Sequence, residues 1–249
     1  MNCLLVTGGS RGIGAATALL AAERGWDVAV NCARDAAAAE AVAAQVRARG
    51  RRALVLQADV GDEAAVLAMF AAIDREWGAQ ALAGLVNNAG VVDVAARVDT
   101  MSGARIERMF RINVFGSMWC AREAVKRMST RHGGRGGAIV NLSSAAARIG
   151  SPGQYVDYAA AKAAIDLFTL GLAREVATEG VRVNAVRPGI IETDIHASGG
   201  QPDRAKQMAP QVPMQRAGSA DEVARAIVWL LSDEASYTTG AVLDVTGGR

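Results

Sequence analysis

Short apolar segments alternate with longer helix-forming segments along the whole chain of 249 residues. Because the apolar segments lack a polar face, they are typical of strands in a parallel sheet that helices cover on both sides. Repeated strand–helix units with right-handed crossovers predict a doubly wound α/β fold. The predicted strands cover 3–7, 27–32, 53–58, 82–87, 138–142, 181–186 and 241–245, and the predicted helices cover 15–24, 35–49, 62–77, 103–128, 155–178 and 221–231.

The chain shows no linker and no break in composition, so the sequence predicts a single domain over residues 1–249. A fold of this class commonly reaches about 250 residues as one domain. The segment 190–219 is the one long stretch without clear periodicity. Long irregular segments inside compact domains are often functional lids. We therefore expect this segment to cover a substrate site.

The composition argues against several classes of function. Lys+Arg is 27 and Asp+Glu is 25, and the resulting net charge of +2 gives no reason to expect nucleic acid or a membrane as partner. Three widely spaced cysteines and two histidines disfavour a disulfide framework and a metal site. No signal pattern and no apolar run near ~18 residues is present. We expect a soluble cytoplasmic protein without a metal, because free cysteines suit a reducing compartment.

A glycine-rich turn follows the first predicted strand and opens the first helix. Glycine on its own could serve only the turn, but ligands of doubly wound sheets bind at the carboxyl ends of the strands. Glycines let the backbone approach a pyrophosphate, and the helix N-terminus offers it free amides and partial positive charge. The position of the turn therefore predicts a dinucleotide site. The expected cofactor contacts in the turn are Gly8, Ser10, Arg11, Gly12, Ile13 and Gly14.

Five motifs resemble those of the short-chain dehydrogenase/reductase family, in its order and over essentially the whole chain. They are Gly-x-x-x-Gly-x-Gly in the glycine turn, Asn-Asn-Ala-Gly at 87–90, Asn-Val-Phe-Gly at 113–116, Tyr-Ala-Ala-Ala-Lys at 158–162 and Arg-Pro-Gly at 187–189. The resemblance is nearest to bacterial glucose-dehydrogenase-like and 3-ketoacyl-carrier-protein-reductase-like members. It implies a Rossmann domain with a seven-stranded parallel sheet, and hydride transfer between a nicotinamide cofactor and a carbonyl or secondary alcohol carbon.

Tyr158 and Lys162 are four residues apart on a predicted helix, so their side chains lie on one face. A carbonyl that accepts hydride also needs a proton, and a tyrosine with a pKa near 10 is a weak acid at neutral pH. An ammonium about 4 Å away contributes roughly 4 kcal/mol at an effective dielectric near 20, which could lower the tyrosine pKa by roughly 3. We assign Tyr158 as the general acid/base and Lys162 as the group that lowers its pKa. The alternative interpretation of this pair is an exposed polar helix face without a catalytic role. The resemblance implies in addition that Lys162 holds the nicotinamide ribose.

The resemblance implies two further catalytic residues. Ser144 would polarise the substrate oxygen as an oxyanion partner. In many family members this serine lies 13 residues before the tyrosine, where this chain has Ala145, but the loop 151–155 can absorb one extra residue. Ser143 is then a helper or a structural residue. Asn113 is expected to interrupt its helix and to hold a water molecule in a proton relay.

The end of the second predicted strand favours NADP(H) over NAD(H). Enzymes that bind NAD place an acid about 20 residues past the glycine turn to bind the ribose hydroxyls. This chain has Cys32, Ala33 and Arg34 there. Arg34 and Arg11 could bind a 2′-phosphate through charge-assisted hydrogen bonds. Two solvated surface arginines, or Asp35 bound to a ribose, are the alternatives.

The resemblance also assigns the remaining cofactor contacts and the assembly. The nicotinamide end of the cofactor would contact Pro188, Gly189, Ile191 and Thr193. Its adenine would contact Asp59 and Val60, and its ribose would contact Asn88, Ala89 and Gly90. The helices 103–128 and 155–178 and the segment 237–249 would contact other subunits of a homotetramer. The substrate would be a small carbonyl or alcohol compound that the motifs do not identify.

Two other functions stay open at this point. The first is an NAD-dependent alcohol or sugar dehydrogenase of the same family. The second is a dinucleotide-binding sensor without catalysis, which would keep the glycine turn but would have no need of Tyr158 and Lys162.

Overall fold

The computed structural model describes residues 2–78 and 80–249, and within this part of the chain seven parallel strands form one sheet. The strands are β1 (Cys3–Val6), β2 (Asp27–Cys32), β3 (Ala53–Gln57), β4 (Leu82–Asn87), β5 (Gly137–Leu142), β6 (Val181–Pro188) and β7 (Val242–Val245). Their order across the sheet is β3-β2-β1-β4-β5-β6-β7. The predicted doubly wound fold is confirmed, and the strand bounds differ from the predicted ones by at most two residues.

Helices cover both faces of this sheet. They are α1 (Gly12–Glu23), α2 (Ala36–Ala48), α3 (Glu63–Trp77), α4 (Gly103–Phe110), α5 (Gly116–Met128), α6 (Ala146–Ile149), α7 (Val156–Val176), α8 (Ile195–Ser198), α9 (Arg204–Met208) and α10 (Ala220–Leu231). One core cluster joins the sheet to α1, α2 and α10, and a second joins it to α3, α5 and α7. In β1, Leu4 belongs to the first cluster and Leu5 to the second. The strands are therefore apolar on both faces because each face is buried.

The chain changes direction between β1 and β4. From β1 it builds outward to β2 and β3, and it then returns to place β4 on the other side of β1. Ligands of open α/β sheets bind in the crevice at this switch point, outside the carboxyl ends of the strands. The glycine turn follows β1 and the Asn-Asn-Ala-Gly motif ends β4, so the fold brings both motifs to this crevice.

The predicted helix 103–128 is interrupted, as expected at Asn113. Residues Arg111–Phe115 form a π-helical turn that separates α4 from α5. The buried Asn113 amide donates to the carbonyl oxygens of Met109 and Val91, both at 3.0 Å, and its Oδ1 accepts the Val91 N–H at 3.2 Å. An asparagine that bonds to the backbone competes with regular helical hydrogen bonds. These bonds explain the interruption.

The segment 190–219 leaves β6 and returns beside it. The Gly218 N–H donates to the Ile190 carbonyl at 2.9 Å, and the Glu192 N–H donates to the Gly218 carbonyl at 2.9 Å. The segment is less irregular than expected, because it contains α8 and α9. Each of these helices is too short to show a periodic pattern in the sequence.

A buried ion pair attaches α4 to the beginning of α7. Arg105 donates to both carboxylate oxygens of Asp157, at 2.8 and 3.3 Å, and to the Val94 carbonyl at 2.6 Å. The two side chains are 11% and 3% exposed. Asp157 also accepts the N–H of Tyr158 at 2.9 Å. The pair therefore fixes the first turn of α7, where Tyr158 lies.

The burial of this ion pair predicts a large effect on stability when one partner is removed. Arg105→Met keeps much of the aliphatic stem but leaves the Asp157 carboxylate uncompensated, so the free energy of unfolding should fall by about 3–5 kcal/mol in a denaturant titration. Arg97→Met is the control, because its pair with Asp99 is 78% and 63% exposed. This change should cost at most about 1 kcal/mol. An equally small loss for Arg105→Met would contradict the anchoring role.

Candidate active site

A cleft opens at the carboxyl ends of the central strands. Apolar side chains form much of its wall, and polar groups from α7, the end of β5 and the end of β4 enter it. The predicted site residues that line the cleft are Ile13, Asn88, Gly90, Ser144, Tyr158, Lys162, Pro188, Gly189, Ile191 and Thr193.

The glycine turn has a backbone conformation that residues with a Cβ atom rarely adopt. Gly8 and Gly12 have positive φ angles of 61° and 54°. A Cβ atom on Gly14 would lie 2.4 Å from the Gly8 carbonyl oxygen and 2.5 Å from Asn88 Nδ2. Helix α1 begins at Gly12, without a capping side chain and without an acid in its first turn. The first-turn amides therefore suit an anion such as a pyrophosphate.

The start of α1 corrects the predicted helix 15–24. The helix begins three residues earlier, at Gly12, so the last part of the glycine motif is its first turn. Glycine has a low helix propensity, which is why the sequence pattern predicted a later start. The consequence is that Ile13 and Gly14 present helical amides at the cleft.

Hydrogen bonds between the ends of β1 and β4 hold the turn. The Asn88 amide donates to the carbonyls of Thr7 and Gly8, both at 2.9 Å. The buried Thr7 hydroxyl accepts the N–H groups of Asn88 and Ala89, both at 3.0 Å, and donates to the Val86 carbonyl at 3.2 Å. Asn88 therefore supports the turn with its side chain as well as lining the cleft.

Asn31 supports the turn from the other side, and the sequence analysis missed it together with Thr7. Its Oδ1 accepts the Gly8 N–H at 3.2 Å, and its Nδ2 donates to the carbonyls of Leu56 at 3.1 Å and Ala58 at 3.0 Å. Asn31 is buried inside β2. A polar residue inside or directly after a buried strand was the signal that could have revealed both residues.

Exposed arginines lie after β2 and in the glycine turn. Cys32 is buried in the core, where burial raises the pKa of its thiol, so its side chain does not face the cleft. Arg34 and Arg11 are both exposed. The Asp35 carboxylate accepts the Ala38 N–H at 2.9 Å and caps α2. Residues 32–34 therefore offer positive charge and no carboxylate.

The predicted adenine contacts lie at the end of β3. The exposed Asp59 accepts the Gly61 N–H at 2.8 Å in a turn, and Val60 is buried in the second core cluster. A Cβ atom on Gly116 would lie 2.7 Å from the Val60 carbonyl oxygen, so α5 passes close behind this turn. The Asp59 side chain is the one of this pair that faces solvent.

Tyr158 and Lys162 lie in the cleft on one face of α7. The Lys162 Nζ lies 5.6 Å from the centroid of the Tyr158 ring and donates to the Leu142 carbonyl at 2.7 Å. Ser144 is the neighbouring hydroxyl that lowers the pKa of Tyr158, and its oxygen accepts the Ala146 N–H at 3.1 Å. The three side chains thus meet where β5 ends beside α7.

The two candidate serines have different surroundings. The buried Ser143 hydroxyl donates to the Lys162 carbonyl at 3.2 Å, so it attaches β5 to α7. Ser144 is the serine that contacts the Tyr158 side chain. The geometry favours Ser144 as the polar partner of a substrate oxygen.

Burial changes the protonation of both groups on α7. It raises the pKa of Tyr158, and the hydrogen bond from Ser144 opposes this increase. It lowers the pKa of Lys162 from 10.5 to about 8, against the negative charge of Asp166. The sequence predicted that Lys162 lowers the pKa of Tyr158. In the structure the pKa of Tyr158 is raised instead, because burial outweighs the other effects on this hydroxyl.

Asn113 and Lys162 approach each other across Gly90. A Cβ atom on Gly90 would lie 2.8 Å from Asn113 Oδ1 and 3.5 Å from Lys162 Nζ. A side chain at this position would therefore separate the two polar groups. The structure therefore places the Asn113 side chain near the Lys162 ammonium.

The segment after β6 closes the cleft opposite α7. The Gly189 N–H donates to the Val245 carbonyl at 2.9 Å, and a Cβ atom on Gly189 would lie 2.8 Å from Thr246 Cα. A Cβ atom on Gly12 would lie 3.4 Å from Thr193 Cγ2. Thr193 therefore lies against the glycine turn, within reach of an anion bound there.

The chain is similar to known oxidoreductases over nearly its full length. Residues 8–249 match the model of a family described as enoyl-(acyl carrier protein) reductase. The uncharacterized oxidoreductase YgfF of Escherichia coli strain K12 is 55% identical over 100% of both chains. The 3-oxoacyl-[acyl-carrier-protein] reductase FabG of Staphylococcus aureus is 38% identical over 98% of this chain and 96% of the relative.

Solved structures agree with this similarity. The crystal structure of a short-chain dehydrogenase from Burkholderia cenocepacia J2315 in complex with NADP superposes with a TM-score of 0.89. It is 35% identical and covers 98% of this chain and 96% of its own chain.

The low pKa of Lys162 predicts a pH-dependent contribution to stability. Between about 8 and 10.5 the unfolded chain keeps a proton on this lysine that the folded chain has lost, so its stability rises with pH over this range. At 1.36 kcal/mol per pKa unit, the free energy of unfolding should rise by about 3 kcal/mol relative to Lys162→Met. Denaturant titrations of both proteins at several pH values measure this difference. A difference that is constant with pH would contradict the effect of burial.

Proposed function

Because the chain belongs to the short-chain dehydrogenase/reductase family of oxidoreductases, we propose that it is an NADP(H)-dependent enzyme. It transfers hydride between nicotinamide and a carbonyl or secondary alcohol carbon. The observation that carries this proposal is the meeting of Tyr158, Lys162 and Ser144 in one cleft beside the glycine turn.

The arrangement supports proton transfer by Tyr158. Bound nicotinamide supplies the hydride for reduction. Ser144 donates a hydrogen bond to the substrate oxygen, and the Tyr158 hydroxyl gives its proton to that oxygen as the carbonyl becomes an alcohol. The raised pKa of Tyr158 keeps its proton in place at neutral pH, which supports the reductive direction. Asn113 completes the site by holding a water that returns a proton through Lys162.

Lys162 has two tasks in this proposal. A pKa of about 8 leaves its ammonium mostly charged at neutral pH, so it stabilises the phenolate that remains when Tyr158 has given up its proton. It also binds the nicotinamide ribose hydroxyls. The hydrogen bond to the Leu142 carbonyl holds the ammonium in place at the end of β5, which supports this binding role.

The residues of the crevice fit a dinucleotide phosphate. The uncapped start of α1 suits the pyrophosphate, and the exposed Arg11 and Arg34 suit a 2′-phosphate. NADP is bound in the Burkholderia relative, which supports the same choice here. The NAD-dependent alternative is less well supported, because the chain has no acid at residues 32–34 to bind the ribose hydroxyls. The alternative of a sensor without catalysis does not account for the arrangement of Tyr158, Lys162 and Ser144.

We also propose a lid, an assembly and a location. The segment 190–219 lines the cleft opposite α7, which supports its role as a substrate lid. Phe115 and Leu167 are 47% and 71% exposed on neighbouring helices, which supports packing against further subunits of a homotetramer. Three free cysteines are buried among the described residues, which suits the reducing cytoplasm. In the same residues no helix has the length and apolar character needed to cross a membrane.

Tyr158→Phe tests the catalytic assignment. The hydroxyl that donates the proton is lost, so NADPH oxidation with ketones or aldehydes should fall about 10²–10⁴-fold. NADPH binding, followed by fluorescence, should be nearly unchanged, because the ring remains. Tyr237→Phe is the control, since this tyrosine is fully exposed, and it should have normal activity. Retained turnover in Tyr158→Phe would show that another group donates the proton.

Arg34→Ala tests the choice of cofactor. Loss of a charge-assisted hydrogen bond should weaken NADPH binding about 10- to 100-fold and leave NADH binding nearly unchanged. Arg24→Ala removes another exposed arginine, at the end of α1, and should affect neither cofactor. Tighter binding of NADH than of NADPH by the unaltered protein would instead favour the NAD-dependent alternative.

A further inference from the structure

Arg204 brings a positive charge to the wall of the active-site cleft. It is the first residue of α9 in the segment 190–219, and it lines the same cleft as Ser144 and Tyr158. Its Nη1 donates to Gln201 Oε1 at 2.6 Å, and its Nη2 donates to Gln154 Oε1 at 2.8 Å. The guanidinium carbon also lies 5.3 Å from the centroid of the Tyr155 ring. These contacts hold the guanidinium in a defined place.

Within the described part of the chain, the partners of Arg204 are neutral, whereas most other partly buried arginines pair with carboxylates. Arg105, Arg127 and Arg187 each pair with a carboxylate at 2.8 Å or less. Arg182 donates to three carbonyls at the negative C-terminal end of α10. Within the described residues, Arg204 makes no ion pair with a carboxylate and bonds only to amide oxygens. A partly buried charge without a counter-charge is costly, so the site favours an anionic ligand.

The chemistry of the guanidinium leaves room for such a ligand. A guanidinium has five N–H donors, and two of them bond to the glutamines. The remaining donors can bind a carboxylate in the geometry that arginine prefers. Apolar side chains of Val92, Ile190 and Ile195 line the same cleft, so it combines apolar surface with the Arg204 cation.

We propose that Arg204 binds a carboxylate of the substrate, and that the enzyme reduces small ketones or aldehydes which carry this carboxylate away from the reacting carbonyl. This inference rests on the proposed function, because the other end of the substrate must meet Ser144 and Tyr158. The competing explanation is a purely structural one, in which Arg204 only ties α9 to Gln154 and Tyr155. The two explanations predict different values of kcat/KM for charged and neutral substrates.

Paired substrates separate the two explanations. Acetoacetate, levulinate and succinic semialdehyde are each compared with their own methyl ester in NADPH oxidation. The best of the acids should exceed its ester in kcat/KM by about 10-fold or more. Arg204→Gln should remove this preference by lowering kcat/KM for the acid alone, and Arg204→Lys should keep part of it, because lysine retains the charge without the planar fork.

A matched variant controls for the loss of charge. Lys206 lies on the same short helix, is exposed and does not line the cleft, so Lys206→Gln should leave the preference for the acid unchanged. An equal loss for acid and ester in Arg204→Gln would mean that Arg204 is only structural and would overturn the proposal. Equal kcat/KM for acid and ester in the unaltered enzyme would overturn it as well.

Binding to an inactive variant separates this proposal from the proposed function. In the NADPH complex of Tyr158→Phe, levulinate should raise the melting temperature more than its methyl ester does, and Arg204→Gln added to this variant should abolish the difference. This result requires no turnover, so it can stand even if Tyr158 proves not to be the proton donor. Equal shifts with acid and ester would overturn the carboxylate site whatever the activity of the enzyme.

Discussion

The hydrogen bonds between the ends of β1 and β4 are the interaction on which the rest of the site depends. Thr7 and Asn88 satisfy each other's backbone groups, so the two strands end in a fixed relation although the residues are 81 positions apart. These hydrogen bonds fix the conformation of the glycine turn, and the turn in turn fixes the position at which α1 begins. A cofactor site built from backbone amides needs such support, because the amides have no side-chain freedom with which to adjust.

Helix α7 is attached to the sheet in an equally rigid way. Ser143 bonds to the Lys162 carbonyl, and Asn141 donates to Thr169 Oγ1 at 2.9 Å, so β5 holds α7 at two places. Arg105 holds its first turn through a buried ion pair. The side chains of Tyr158 and Lys162 therefore lie on an element that neighbouring strands and helices fix. The precision that the proposed proton transfer requires comes from these attachments and not from the two residues alone.

The local sequence was sufficient for the strands, for most helix bounds and for the pair on α7, because each depends on periodicity or on spacing within a few residues. It was insufficient for Thr7 and Asn31, whose partners lie far away in the chain. It was also insufficient for the surroundings of Arg204, because Gln154 and Tyr155 are about 50 positions distant. The local sequence also could not show whether the pKa of Tyr158 is raised or lowered. That direction depends on how deeply the fold buries the hydroxyl, which no spacing records.

The electrostatics of the cleft explain why a substrate carboxylate would be bound at a distance from the reacting carbonyl. Burial raises the pKa of Tyr158 and lowers that of Lys162, so it shifts the protonation of both groups toward their uncharged forms. A carboxylate held next to Tyr158 would raise its pKa further and hinder proton donation. In our proposal, Arg204 binds that charge on the segment 190–219, outside the sheet and α7, which carry the proposed catalytic residues. A change of substrate could then arise in this segment without disturbing Tyr158, Lys162 and Ser144, as is typical of folds that combine a rigid scaffold with variable loops.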